Sequence, residues 1–180
     1  CINFLRAYDL TERFKLNIET NHATLAGHSM QHELEYAGMQ GMLGSIDANT
    51  GDLLLGWDTD QFIVDVPELT VAMYEILKAG GFTTGGMNFD AKIRRQSIDP
   101  DDIIHAHVGS MDACAKALLN AADMIEDAKL LTIVDQRYSG WKLAQNKAML
   151  AGKESLDKIA ARVEKNNINP QPRSGQQERL

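Results

Sequence analysis

Three short segments of this chain share one pattern, in which a polar residue and then an apolar residue precede a carboxylate. They are residues 17–19, 45–47 and 88–90. The two-residue period of a strand places the polar residue and the acid of each segment on one face. A parallel strand covered by helices should be apolar on both faces, so a polar face that ends in an acid needs another explanation. A divalent metal held by acids from several strand ends would provide it.

Helix-like sequence separates the three segments, so strands and helices alternate along the chain. Apolar residues recur at helical spacing over residues 68–79, after a proline that the first turn of a helix tolerates, and this pattern predicts a helix. Further helices are predicted at residues 30–42 and after the polar loop 94–102. The last of these is expected to pack on the sheet through an apolar stripe formed by Met111, Cys114, Leu118, Ala121, Ile125 and Ala128.

This alternation predicts an α/β fold in which crossover helices cover a parallel sheet, either doubly wound or closed into a barrel. The glycine-rich segments 38–44 and 80–86 are not a dinucleotide fingerprint, because no G-x-G-x-x-G follows a strand and opens a helix. Barrel enzymes place their chemistry at the carboxyl ends of successive strands, where the three acids lie. The sequence therefore favours a (β/α)8, or TIM, barrel that includes residues 1–130, with residues 131–180 as a helical extension.

The composition excludes several classes of protein. With 180 residues, 44% of them hydrophobic, and a formal net charge of −7, the chain is typical of a globular protein. The chain has no run of roughly 18 apolar residues, the length needed to span a bilayer. No signal peptide is recognisable either, so the cytoplasm is the expected location. The acidic balance argues against a nucleic-acid partner and suits cation binding. The two cysteines, Cys1 and Cys114, form neither a disulfide framework nor a thiolate zinc site.

A second set of candidate ligands follows the second strand. Residues 56–62 are expected to form a loop that carries Asp58 and Asp60, and an Asp-x-Asp pair can chelate a hard cation. Such a pair also serves as a turn or a helix cap, and that alternative stays open here. Together with the strand-end acids and a histidine, the pair suits a two-metal site for magnesium or manganese. The ligand inventory is Glu19, His22, Asp47, Asp58, Asp60 and Asp90.

Several residues have both a structural and a functional interpretation. A single histidine such as His22 is more typical of a structural role, although its position three residues after Glu19 favours a ligand. His28 and His32 have the spacing of zinc ligands on a helix, but the glutamate of the zinc-protease motif is missing, so a metal role is not favoured. Two aromatic residues either line a sugar-binding face or serve in packing, namely Trp57 and Phe62.

Longer segments surround these candidate residues. They are KLNIETNHATLAGH at 15–28, GWDTDQF at 56–62, KAGGFTTGG at 78–86, DAKIRRQ at 90–96, QRYSGW at 136–141 and SGQQE at 174–178. In these segments the chain strongly resembles the xylose isomerase family, specifically its longer class of sequences. The resemblance extends across nearly the whole chain and implies the carboxyl-terminal portion of such an enzyme.

The resemblance implies a fold and a reaction. The three strands correspond to the sixth, seventh and eighth strands of a (β/α)8 barrel. Residues 131–180 correspond to an extension that contacts a neighbouring subunit of a homo-oligomer, expected as a tetramer. The reaction is the reversible isomerisation of the aldose D-xylose to the ketose D-xylulose, an intramolecular oxidoreduction by a two-metal-assisted 1,2-hydride shift. D-glucose is a further candidate substrate, and no organic cofactor is required.

The resemblance also implies roles for single residues. It implies two Mg²⁺ ions per subunit, with Mn²⁺ or Co²⁺ as substitutes. Glu19 resembles the carboxylate that bridges both ions, while Asp47 and Asp90 resemble further ligands of the first, structural ion. His22, Asp58 and Asp60 resemble the ligands of the second, catalytic ion, and they are also the catalytic candidates.

Some residues of the family have no counterpart here. The family has another metal-binding glutamate and a substrate-contacting lysine on a preceding strand, and a ring-opening histidine earlier still. The substrate-binding residues are therefore unassigned. Because the chain also begins with Cys1 rather than methionine, we expect a fragment that is inactive alone. Two alternatives stay open: a shortened, non-catalytic metal-binding or subunit-interaction module, and a two-metal isomerase of another sugar.

Overall fold

The computed structural model describes residues 1–172, 174–175 and 178. It contains two compact units, Cys1–Asp127 and Ala128–Leu180. The first unit alternates strands and helices, and the second is helical. The elements of the first unit are α1 (Ile2–Ala7), β1 (Leu16–Glu19), α2 (Thr20–Leu25), α3 (Met30–Met39), β2 (Leu43–Asp47), β3 (Thr50–Asp52), β4 (Trp57–Gln61), α4 (Val66–Lys78), β5 (Met87–Asn88) and α5 (Pro100–Asp127).

The central sheet has three parallel strands in the order β1-β2-β5. In this sheet Glu19 is the Cα partner of Asp47, and Asp47 is the Cα partner of Asn88. The carboxyl ends of the three strands therefore meet at one edge, as the parallel α/β prediction requires. The mixed α/β class with parallel strands is confirmed.

The core of the first unit lies between the sheet and the helices α3, α4 and α5. Ile46 of β2, Leu34 of α3 and Leu69 of α4 are almost completely buried. The helix α4 begins where Asp65 accepts a hydrogen bond from the backbone N–H of Glu68 at 2.8 Å, a typical N-cap that fixes the start of the helix. Burial of one face of each helix thus packs α3, α4 and α5 into a common core with the sheet.

The predicted apolar stripe of α5 is only partly correct. Met111 and Leu118 are 59% and 43% exposed, respectively. The buried face of the helix consists of small residues, namely Ser110, Ala113, Cys114, Ala117 and Ala121. Small side chains allow close approach of the α5 and α4 backbones, and Ser110 Oγ donates a hydrogen bond to the carbonyl oxygen of Ile63 at 2.7 Å. Close packing therefore selected a neighbouring face of the helix rather than the most apolar one.

The prediction of a loop at residues 56–62 is wrong. Most of this segment is the strand β4, which pairs with β3 in an antiparallel hairpin. Gly56, with φ of +71°, lies in the turn of the hairpin, where a residue without Cβ adopts positive φ at low cost. The hairpin returns the chain towards the carboxyl end of β1.

The second unit consists of short helices. They are α6 (Lys129–Arg137), a 3-10 turn (Ser139–Lys142), α7 (Ala144–Leu150) and α8 (Leu156–Lys165). Within the described part of this unit no residue is buried. Gln176 and Gln177 of the SGQQE segment lie outside the described residues. Across residues 1–172, 174–175 and 178, no helix has the length and apolar character needed to cross a membrane.

A polar network around one buried carboxylate joins the helices α3 and α4. Glu75 of α4 has a side chain only 1% exposed, and its Oε2 lies 2.5 Å from Nζ of Lys78. The other carboxylate oxygen accepts a hydrogen bond from Gln31 at 3.0 Å, and Lys78 also contacts Glu35 of α3 at 3.0 Å. Desolvation works against the charge of Lys78, but its hydrogen bonds to Glu75 and Glu35 raise its pKa above the usual value.

We expect Lys78→Ala to lower the free energy of unfolding by about 2 kcal/mol, because it leaves the Glu75 carboxylate buried without a cation. This is less than the loss of about 3–5 kcal/mol for a fully buried pair, since Lys78 is 31% exposed. Urea unfolding followed by circular dichroism measures the change. The control is Lys142→Ala, which removes an exposed pair with Asp135 and should cost less than about 1 kcal/mol. Equal losses in the two variants would contradict the buried-pair argument.

Candidate metal centre

The sequence Glu-x-x-His brings two ligands together at the junction of β1 and α2. Glu19 ends β1 and is the N-cap residue of α2, so His22 lies in the first helical turn. Residues three apart face the same side of a helix. His22 Nδ1 therefore lies 3.0 Å from Glu19 Oε2. Because β1 passes directly into α2, a spacing of three residues is enough to bring the two side chains together.

The hairpin adds Asp58 to this pair. His22 Nε2 lies 2.9 Å from Asp58 Oδ2, and the side-chain amide of Asn21 donates a hydrogen bond to Asp58 Oδ1. One ligand atom from each of Glu19, His22 and Asp58 lies within 4.8 Å of the others. We call these three residues the histidine group.

A second group lies at the carboxyl edge of the sheet. Glu19, Asp47 and Asp90 each offer a carboxylate oxygen, and these oxygens also lie within 4.8 Å of one another. We call these residues the carboxylate group. It shares Glu19 with the histidine group, and each acid comes from or follows a different parallel strand.

The polar residues of the strand segments orient Asp47. The amide of Asn17 donates to Asp47 Oδ2 at 2.5 Å, and the amide of Asn88 donates to Asp47 Oδ1 at 3.1 Å. Ser45 Oγ in turn donates to Asn17 Oδ1 at 2.7 Å. The polar residue and the acid of these segments thus lie on one face, as the two-residue period predicted.

Asp60 belongs to neither group. Its carboxylate accepts a hydrogen bond from Lys92 Nζ at 2.8 Å, and its backbone has φ of +43°. The contact with Asp60 raises the pKa of Lys92. The structure therefore brings five of the six predicted ligands together and directs Asp60 towards a lysine.

The charges of the histidine group influence one another. The pKa of His22 is raised, mainly by its hydrogen bond to Asp58. Partial desolvation lowers this pKa, and the negative charges of Glu19 and Asp60 raise it further. The pKa of Asp58 is lowered, first by a side-chain hydrogen bond with Asp60 and, against a desolvation effect, by its bond to His22. Both shifts favour a charged pair in the absence of any other cation.

Other candidate residues have ordinary structural contacts. Phe62 packs against His107 and Phe89, with ring centroids 4.6 Å and 5.9 Å away, respectively, which fits the packing alternative. Trp57 is 62% exposed. His28 Nδ1 lies 2.5 Å from Glu33, and neither His28 nor His32 joins a metal-binding group within the described residues.

The donor set fits divalent cations. Four carboxylates and one imidazole converge at a distance where like charges repel, and oxygen donors with an occasional imidazole suit Mg²⁺ or Mn²⁺. The amides of Asn17, Asn21 and Asn88 support the acids without neutralising them. A cavity of about 500 Å³ borders Glu19 and His22 beside β1, within the size range of small-molecule sites.

Comparison with known proteins finds close similarity between this chain and several curated enzymes. The chain is 59% identical to the xylose isomerase of Histophilus somni over 177 residues, which are 98% of this chain and 40% of the relative. The xylose isomerases of Cereibacter sphaeroides and Mesorhizobium japonicum are 59% and 56% identical, with the same coverage. The chain is related to the xylose isomerases. It spans about two fifths of the length of these relatives.

A family model gives a second match. Residues 134–180 match the model described as "XylA2 C-terminal domain". This match covers most of the helical second unit, and the pairwise similarity covers the first unit as well. The predicted resemblance to the carboxyl-terminal portion of xylose isomerases is confirmed.

Sequence reasoning missed three residues of the site. Asn21, Asn49 and Lys92 all bond directly to a predicted ligand. A signal existed for Asn49, which follows Asp47 by two residues and so continues the polar face of β2. No comparable signal marks Lys92, whose contact depends on how the chain returns after β5.

Proposed function

We propose that this chain contributes part of the active site of a xylose isomerase, which converts D-xylose reversibly to D-xylulose. The observation that carries the proposal is the pair of ligand groups that share Glu19. Two adjacent groups joined by one carboxylate suit a two-metal site, and the relatives named above are xylose isomerases. The fold proposed for the whole protein is the (β/α)8 barrel, to which β1, β2 and β5 would contribute three strands.

Each ligand has a proposed role. Glu19 would bridge two Mg²⁺ ions, with Asp47 and Asp90 completing this chain's share of the first site. When bound, the ions would act as Lewis acids that polarise the oxygens of the sugar. His22, Asp58 and Asp60 would hold the second ion, which requires Asp60 to exchange its contact with Lys92 for the metal.

The reaction itself balances within the sugar. In the open-chain aldose, a hydride moves with its electron pair from C2 to C1, while a proton leaves the C2 hydroxyl and one is gained at the C1 oxygen. Asp60 is the proposed holder of the proton that leaves, because its carboxylate is 27% exposed and its backbone N–H donates a hydrogen bond to Asp58 of the histidine group. Lys92, which contacts Asp60 at 2.8 Å, would keep it in its carboxylate form until the metal binds.

The second unit would serve in subunit contacts of a homotetramer. Its described helices bury no residue, yet they carry large apolar side chains, among them Leu131, Val134, Trp141 and Leu156, which are 40–77% exposed. Helices without a core of their own need another surface to bury these residues. A neighbouring subunit would supply that surface.

The test is a chimera that places this chain after the complementary residues of the Histophilus somni relative. We expect Mg²⁺-dependent conversion of D-xylose to D-xylulose by the chimera, loss of this activity with a chelator, and no turnover by the 180-residue chain alone. Light scattering on the same sample reports the oligomeric state. A folded chimera that binds Mg²⁺ but does not isomerise xylose would contradict the assignment and favour another sugar or a non-catalytic role.

A further inference from the structure

Asn49 lies in the connection between β2 and β3 and is completely buried. Its backbone N–H donates a hydrogen bond to Thr20 Oγ1 at 3.0 Å, and its side-chain Oδ1 accepts one from the backbone N–H of Asn21 at 3.0 Å. Thr20 Oγ1 also donates to the carbonyl oxygen of Asn49 at 2.5 Å. These bonds attach Asn49 to the first turn of α2, which carries His22.

The side-chain amide of Asn49 contacts two further strand ends. Nδ2 donates to Glu19 Oε1 at 3.0 Å and to the carbonyl oxygen of Asp90 at 2.9 Å. Both amide hydrogens therefore have an acceptor. One buried side chain thus connects the ends of β1 and β2 to the segment after β5, and these segments supply all three members of the carboxylate group.

We propose that Asn49 is a positioning residue that fixes the Glu19 carboxylate for two cations. This inference rests on the proposed two-metal function. Glu19 is the member common to both ligand groups, and its two oxygens have different neighbours, with Oε1 on Asn49 and Oε2 on His22. A bond that fixes Oε1 therefore fixes the direction of Oε2 as well.

The chemistry of an amide suits this role better than that of a cation. Asn49 donates a hydrogen bond without carrying charge, so Glu19 keeps the full negative charge that divalent cations require. A lysine in the same place would cancel this charge, as Lys92 does for Asp60. Partners of this kind orient metal ligands, and their loss typically weakens metal binding about 10–100-fold.

The test measures Mn²⁺ binding to the full 180-residue chain by electron paramagnetic resonance. We expect Asn49→Ala and Asn49→Ser to raise the dissociation constant for Mn²⁺ about 10–100-fold. Serine can still accept the hydrogen bond from the Asn21 N–H but is too short to reach Glu19. The matched control is Asn120→Ala, which removes an amide bond to Thr70 Oγ1 in another part of the first unit and should leave Mn²⁺ binding within about twofold.

Circular dichroism on the same samples separates positioning from folding. A folded Asn49→Ser chain that binds Mn²⁺ as the unsubstituted chain does would overturn the positioning role and leave the proposed function intact. Loss of folding in both Asn49 variants would also overturn it, because the residue would then serve the fold rather than the site. If the unsubstituted chain binds no Mn²⁺, the positioning role fails, while the two-metal proposal, which needs residues beyond this chain's share of the site, is decided by the chimera.

Discussion

Replacing Glu19 by glutamine in the chimera should lower xylose turnover on the order of 10³-fold. Glu19 belongs to both ligand groups, so one substitution removes a charged ligand from each. Metal ions in such sites typically lower reaction barriers by several kcal/mol, and a loss of about 4 kcal/mol corresponds to about a 10³-fold lower rate. The amide of glutamine retains an oxygen that can accept the hydrogen bond from Asn49, so the fold should persist.

The control for this prediction is Glu35→Gln, the same chemical change on α3. Glu35 contacts Lys78 at 3.0 Å and belongs to neither ligand group. Its loss should leave turnover and Mn²⁺ affinity unchanged and lower stability slightly. Initial rates at saturating xylose and Mg²⁺ give the comparison. Undiminished turnover in a folded Glu19→Gln chimera would exclude the shared-ligand mechanism.

The strand-end acids could be predicted because their geometry follows from local rules. A strand places alternate residues on one face, so Asn17 and Glu19 had to point the same way once residues 16–19 formed a strand. Parallel pairing then placed Glu19 beside Asp47. The helix α2 added His22 through a spacing of three residues. Each of these steps depends on only a few neighbouring residues.

The remaining parts of the site depend on contacts between distant segments. Asp58 reaches His22 because a hairpin, not a loop, folds back across 36 residues of sequence. Asp60 is the other member of the Asp-x-Asp pair, but its φ is positive and its carboxylate pairs with Lys92, 32 residues further along. Asn49 bonds to residues 30 and 41 positions away. Sequence spacing alone contains no information on which of these partners meet.

The position of Asp90 depends on a glycine that brings two strands close together. Gly85 precedes β5, and a Cβ atom built on it would lie 1.8 Å from the carbonyl oxygen and 2.6 Å from the carbonyl carbon of Gly44. Both are backbone atoms, which cannot rotate away as a side chain can. Any larger residue at position 85 must therefore push the start of β5 away from β2, and Asp90 would move with it.

We therefore expect Gly85→Ala to lower the free energy of unfolding by about 3 kcal/mol, the upper end of typical overpacking costs. For a chain of this size this is a fall in melting temperature of roughly 6–12 °C. Mn²⁺ affinity should fall as well, because Asp90 leaves the carboxylate group.

The neighbouring Gly86→Ala is the matched control, since its Cβ would meet no atom within 4 Å. Its stability should stay within about 1 kcal/mol of the unsubstituted chain, because an alanine without steric conflict changes mainly the entropy of the unfolded state. Similar melting temperatures and Mn²⁺ affinities for the two variants would show that contact between positions 85 and 44 does not hold Asp90 in place.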